Sequence, residues 1–155
     1  MPKLYVVATP IGNLNDLTPR MREALERADM IAAEDTRVTM KLLSHCDIKK
    51  PMTSCHRHNE AQKAPQLTQR MLDEDLTVAL TCDAGTPGIS DPGHLLVRAC
   101  WEASIPVEPV CGPSAAIRSA RSSASRMRGV RSFRLPMGVA TTYSFGICYS
   151  LPSNI

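Results

Sequence analysis

The stretch DAGTPGISDPG, residues 83–93, crowds three glycines, two prolines and two aspartates into one connection. LTVALT (76–81) precedes it and reads as a buried strand, and HLLVRACWEAS (94–104) follows and reads as a helix. A strand-to-helix link ordinarily takes about two to six residues without such a density of special backbone. The loop therefore points to something bound, with a purely structural long turn as the plainer alternative. Asp91 followed by Pro92 has the form of a helix N-cap and first helical residue. That leaves DAGTPGIS to face a ligand: Gly85 and Gly88 bare their backbone groups, Thr86 and Ser90 offer hydroxyls, and Ile89 offers an apolar wall. Such a surface suits an adenosine or amino-acid moiety held through the main chain. It carries no charged clamp for a triphosphate.

The strand–loop–helix pattern recurs outward from this loop. KLYVVA (3–8) is a strand, and TPRMREALERA (18–28) a helix with Thr18 as N-cap and Pro19 in its first turn. Met21, Ala24, Leu25 and Ala28 follow the spacing of one helix face. MIAA (30–33) and TRVTMKLLSHC (36–46) form the next strand and helix. PMTSC (51–55) is a weak strand, and EAQKAPQLTQRMLDE (60–74) is helical in pattern, with Pro65 expected to start, break or kink it. PVEPV (106–110) is a fifth strand. Alternating apolar strands and amphipathic helices predict an α/β fold, a mainly parallel five-stranded sheet with flanking helices. In such sheets ligands bind beyond the carboxyl ends of the strands.

That rule directs attention to the remaining post-strand loops. TPIGNLND (9–16) carries Gly12, where backbone can approach a ligand closely, or else forms a turn with an Asn cap. No Lys-Ser/Thr follows at phosphate-loop spacing. In AEDTR (33–37), Glu34, Asp35 and Arg37 make an acid–arginine constellation at a cleft rim, unless Asp35 serves only as a helix N-cap. CHRHNE (55–60) holds two histidines at i and i+2 without a third ligand nearby, so no metal is expected. Polar contacts to a substrate, or an Asn59 cap on the next helix, fit it better. In CGPSA (111–115), Gly-Pro turns the chain and Ser114 opens a helix whose free N–H groups face the cleft.

Composition sets the frame. Among 155 residues 43% are hydrophobic and 21% charged, as in a soluble globular protein. No apolar run approaches the roughly 20 residues needed to span a bilayer, and no signal peptide precedes the first strand, so the cytoplasm is the expected location. Six separate cysteines, with no C-x-x-C pair, read as small apolar residues kept reduced. Residues 1–108 carry 12 Lys and Arg against all 15 Asp and Glu, whereas residues 109–155 carry six arginines and no acid. From about Arg118 onward the text is Ser- and Arg-rich with no sustained period, and no structure is assigned to it.

TPIGNLNDLTPR, AEDTR, HNE, DAGTPGISDPG and GPSA, in this order and spacing, resemble the ribosomal RNA branch of the tetrapyrrole methylase-like family. These are class III S-adenosylmethionine-dependent methyltransferases. The resemblance covers about residues 3–117 as an N-terminal domain. It implies S-adenosyl-L-methionine as cofactor and 2′-O-methylation of a cytidine ribose in the decoding centre of 16S rRNA, in the small ribosomal subunit. Carried onto matching positions, it places the cofactor against Pro10, Ile11 and Gly12, against Asp83, Ala84, Gly85, Thr86, Ile89 and Ser90, and against Pro113, Ser114 and Ala115. For the base or polarising group near the methyl, the candidates are Asp35 first, then Glu34 and His58. Arg37 would orient RNA phosphate or an acid. No metal and no membrane partner are implied. The family leads to the expectation of a homodimer, one whose interface this chain would form only in part.

Residues 118–155 do not follow the family into its second domain. They read as a reading-frame change followed by early termination, with a basic RNA-binding arm as the alternative. On that reading the cofactor is held from one side, and this chain is expected to bind it weakly or not at all and to show no detectable methylation. Two further readings stand beside this one. The first is a methyltransferase of the same superfamily acting on a small tetrapyrrole-like substrate, which AEDTR with HNE disfavours. The second is a non-catalytic RNA-binding fragment.

Overall fold

A computed structural model of the chain describes residues 1–88 and 92–113. The predicted Ile89, Ser90, Asp91, Ser114 and Ala115, and the tail beyond, lie outside the described residues. Five strands, β1 (Lys3–Val7), β2 (Met30–Ala33), β3 (Met52–Ser54), β4 (Thr77–Thr81) and β5 (Val107–Val110), form one sheet of order β3-β2-β4-β1-β5. Every pairing is parallel, so all five carboxyl ends emerge along one rim. The α/β expectation holds for the described residues. Pro109 sits in β5, an edge strand, where a missing backbone donor is tolerated.

Four helices follow the first four strands: α1 (Pro19–Arg27), α2 (Thr36–His45), α3 (Glu60–Glu74) and α4 (His94–Glu102). Connections from β1 and β2 step one way across the sheet and those from β3 and β4 step back. Right-handed crossovers then put α1 and α2 on one face and α3 and α4 on the other. The two buried clusters agree. Met21, Leu25, Leu42 and Leu43 pack on Val7, Ile31 and Ala79 on one face. On the other, Leu67, Met71, Leu96 and Cys100 pack on Leu4, Val78 and Leu80. Residues of the inner strands β1, β2 and β4 alternate between the clusters and are buried from both sides, which is why these strands are mainly apolar. Among the described residues no helix is long and apolar enough to cross a membrane.

Helix ends show which local signals prevailed. Thr18 caps α1 as its sequence predicts: its hydroxyl accepts from Met21 N at 3.2 Å. α3 continues through the exposed Pro65 without a break. The expected Asp91–Pro92 start of α4 is corrected, because the helix begins at His94 with Gly93, φ +126°, as N-cap. Asn59 occupies the N-cap position of α3 without capping it. Its side chain instead accepts from His56 N at 2.8 Å and donates to Ser54 O at 3.3 Å, bracing the β3–α3 loop. Backbone handedness also divides by rim. The non-glycine residues with positive φ, Asp47, Asp75 and Ser104, all follow helices, whereas the glycines with positive φ all follow strands.

Two core clusters on opposite faces of one sheet should lose stability independently. Leu25→Ala and Met71→Ala are each expected to cost about 2–5 kcal/mol. The double variant should match the sum within about 0.5 kcal/mol in urea unfolding, and a clear excess would mean the clusters are coupled.

Candidate functional site

The site grows from where β1 sits, between β4 and β5. Past the end of β1, Thr9 N donates to Gly85 O at 2.7 Å and Gly85 N donates to Thr9 O at 3.1 Å, an antiparallel bridge beyond a parallel pair. The Thr9 hydroxyl also donates to Cys82 O at 2.9 Å. Both residues are buried, so these bonds are shielded from competing water. A Cβ added at Gly85 would lie 3.7 Å from Ile11 Cδ1, so the two glycine-bearing loops touch beyond the bridge as well. On the other flank, Ala8 N donates to Val110 O at 3.1 Å. Gly112 passes so close that a Cβ there would meet Ala8 Cβ at 2.9 Å. The loops after β4, β1 and β5 therefore run side by side.

Beside Thr9 lies a recess of about 220 Å³. Thr9, Pro10, Gly12 and Leu14 wall it from the β1 loop, Val38, Lys41 and Leu42 from α2, and Cys82 and Asp83 from the end of β4. Thr39 of α2 meets Thr81 of β4 hydroxyl to hydroxyl at 3.3 Å under this wall. The lining is mainly apolar. Its contributions from Thr9, Cys82 and α2 were not singled out by sequence reasoning, because helix-face periodicity cannot show which residues look over the strand ends.

Carboxylates gather at the mouth. Asp35 N donates to Asp83 Oδ1 at 3.2 Å, and Asp83 N donates to Glu34 Oε2 at 3.3 Å, so the loops after β2 and β4 hold one another. Asp35 is the N-cap of α2, accepting from Arg37 N at 2.8 Å. Its carboxylate also takes both Arg37 Nε at 3.2 Å and Nη2 at 2.9 Å. The Arg37 guanidinium, followed by its backbone N–H, holds the Asp35 carboxyl below its usual range. Arg37 itself is 87% exposed at the rim.

The structure thus brings together Pro10, Ile11, Gly12, Glu34, Asp35, Arg37, Asp83 and Gly85. Ala84 and Thr86 flank Gly85 in the same loop, and Pro113 lies half-buried after β5. His58 stands apart from this group, exposed on the loop after the edge strand β3. There its ring meets His56 edge-on at 6.0 Å between centroids. His56 Nδ1 is buried without a hydrogen-bond partner. Among the described residues no group of three or more His, Cys, Asp or Glu is placed to hold a metal ion. Cys46, Cys55, Cys82 and Cys100 are buried and form no disulfide, and burial pushes Cys55 to about 11.

Known proteins resemble the chain at two levels. Residues 3–128 match the model of the tetrapyrrole (corrin/porphyrin) methylases. Ribosomal RNA small subunit methyltransferase I of Synechocystis sp. is 53% identical over 120 residues, covering 77% of this chain and 43% of the relative. Its counterpart in Haemophilus influenzae is 55% identical over 114 residues, covering 74% and 40%. That of Thermotoga maritima is 48% identical over 115 residues, covering 74% and 51%. The chain thus spans about half or less of the length of these curated relatives. A solved uroporphyrin-III-C-methyltransferase from Thermus thermophilus superposes with a TM-score of 0.60 at 21% identity, covering 79% of this chain and 51% of that one, a likeness of fold.

The Asp35 carboxyl should titrate below the ordinary aspartate range when followed by carboxyl ¹³C shifts. Arg37→Gln should move its midpoint upward, part of the way to the ordinary value, because the backbone donor remains. Since the folded value lies below the unfolded one, this contribution to stability is in place at neutral pH. It disappears as pH falls through the folded value. An unmoved midpoint in the variant would show that the ion pair does not form in solution.

Proposed function

The chain belongs to the tetrapyrrole (corrin/porphyrin) methylase family, and on that premise we propose that its post-strand loops form a wall of the methyl-donor site of a ribosomal RNA methyltransferase. The donor is S-adenosyl-L-methionine, and the acceptor is a cytidine ribose 2′-hydroxyl in the decoding centre of 16S rRNA. One observation carries the reading: the Thr9–Gly85 bridge, which joins the loops after β1 and β4 beside a recess that Thr9, Cys82 and Asp83 line.

The chemistry of the site fits such a donor. Its floor is apolar, Gly12 opens onto space with no atom within 4 Å of an added Cβ, and Glu34, Asp35 and Asp83 cluster at the mouth. An apolar floor with backbone groups suits an adenosine, and a ring of carboxylates suits a sulfonium and an ammonium. Bound there, the donor supplies an electrophilic methyl. Pro10, Ile11 and Gly12, the loop from Asp83 to Ser90, and Pro113 to Ala115 would orient it. Correct alignment with water excluded is worth about 7–11 kcal/mol of barrier.

The acceptor hydroxyl needs a proton acceptor. Asp35 gives its carboxylate to Arg37 and to the α2 cap, which lowers its basicity, so we assign it chiefly to holding Arg37. Glu34 takes the proton-accepting role in this proposal, since His58 stands apart from the gathered loops, and Arg37 meets RNA phosphate as a planar fork. Identity near 50% to relatives named for ribosomal RNA favours this acceptor over a tetrapyrrole.

Titrating the ¹⁵N-labelled chain with S-adenosylmethionine should shift the amides of Gly12, Gly85 and Gly88, even if affinity is low. Asp83→Asn should weaken the response roughly tenfold, the worth of one charge-assisted contact. Shifts confined to other surfaces, or none at millimolar donor, would reject the donor site. The acceptor is tested separately, with a chimera carrying residues 3–117 in the matching segment of the Haemophilus influenzae relative. It should label small ribosomal subunits from methyl-labelled donor, and a chimera that binds donor without labelling them would reject the RNA reading.

A further inference from the structure

At its β4 end the loop between β4 and α4 is held by the Thr9–Gly85 bridge and the Asp83 contacts, both part of the site described above, and a second hold acts at its α4 end. The second holder is Glu60, the first residue of α3, which is 2% exposed. Its Oε1 accepts from Gly93 N at 2.8 Å and from Leu95 N at 2.7 Å, and its Oε2 lies 3.7 Å from His94 Nδ1. A helix usually satisfies its first free N–H groups with the side chain of its own N-cap. Gly93 has none, so α4 takes its cap from the neighbouring helix. A carboxylate at that end also meets the positive pole of the helix dipole.

The corner so clamped supports the loop. At Gly93 an added Cβ would lie 2.7 Å from Leu80 Cδ2 and 3.6 Å from Pro87 Cβ, and at Gly88 it would lie 3.9 Å from His94 N. Gly93 therefore fits tightly between β4 and Pro87, while Gly88 rests against the first residue of α4. Pro87 and Gly88 thus lean on the backbone that Glu60 grips.

We propose that Glu60 is a positioning residue for the glycine-rich loop: by capping α4 from α3, it sets where Pro87 and Gly88 sit in the donor wall. Its hold on the loop follows from these contacts alone, and its bearing on the donor rests on the function proposed above. It also restricts how a ligand is held. The first-turn amides of Gly93 and Leu95 are taken by Glu60 and closed to a ligand carboxylate or phosphate, so the grip falls to the backbone nearer Gly85.

Amide hydrogen exchange and shifts in the ¹⁵N-labelled full chain test this. Glu60→Gln preserves size and leaves a neutral acceptor. Gly93 and Leu95 should exchange roughly tenfold faster, as weakening a charged hydrogen bond implies. The Gly88 amide resonance should move, while the sheet amides of Val6 and Leu80 stay protected as before. Faster exchange at Gly93 and Leu95 with an unmoved Gly88 would confine Glu60 to helix capping and overturn the proposal. No acceleration at either amide would overturn it too. Glu60→Asp, one methylene shorter, gives the same readout should the glutamine variant fail to fold. Titrating these samples with S-adenosylmethionine keeps the two readings apart. A loop that shifts without any loss of donor response supports Glu60 as the loop's holder and counts against the donor assignment alone.

Discussion

The reciprocal hydrogen bonds between Thr9 and Gly85 are the contact on which the rest of the site depends. Parallel strands release their chains in the same direction, and nothing in a parallel ladder requires the released loops to meet. Here β1 and β4 are neighbours, and just past their ends the backbones turn to face each other and exchange two bonds. The Asp35–Asp83–Glu34 contacts tie in the loop after β2. Gly112, pressed against Ala8, brings in the loop after β5 from the far flank. Four segments distant in sequence share one rim because the strand order places β1 and β4 side by side within the sheet.

Much of this was legible in the sequence because much of it is local. The Thr18–Pro19 start and the face made by Met21, Ala24, Leu25 and Ala28 specify α1 without help from the rest of the chain. MIAA marks β2 to the residue. The loops that wall the recess could be named because α/β sheets hold ligands at one rim, and glycine is conspicuous there. What stayed hidden was tertiary. Asp91–Pro92 carries a sound local signal for a helix start, but Glu60 reaches over from α3 and caps two residues later. Asn59 likewise stands where a cap belongs and braces its own loop instead. Strand order, and with it the meeting of Thr9 and Gly85, is not written in any one segment.

Electrostatics and packing divide the work at the site. The recess is mainly apolar and contributes shape, with Lys41 and Asp83 as the charged residues of its lining and further carboxylates beside Asp83. There Asp35 and Arg37 hold each other in a two-pronged pair. Exposed pairs of this kind add little to stability, and their value lies in fixing direction. A guanidinium steadied in this way keeps its fork presented outward, which a lone arginine on a flexible stem would do only part of the time.

The separation of left-handed backbone by rim has a consequence for how such a chain can change. Asp47, Asp75 and Ser104 adopt a conformation that L side chains tolerate poorly, and all three close helices on the side away from the recess. Relief there, through glycine or asparagine, lies within reach of single substitutions that leave the strand-exit loops untouched. The strand-exit rim already uses glycine at its left-handed positions and has no comparable slack. Substitutions at the helix-exit pole can thus tune stability without reshaping the loops at the other pole.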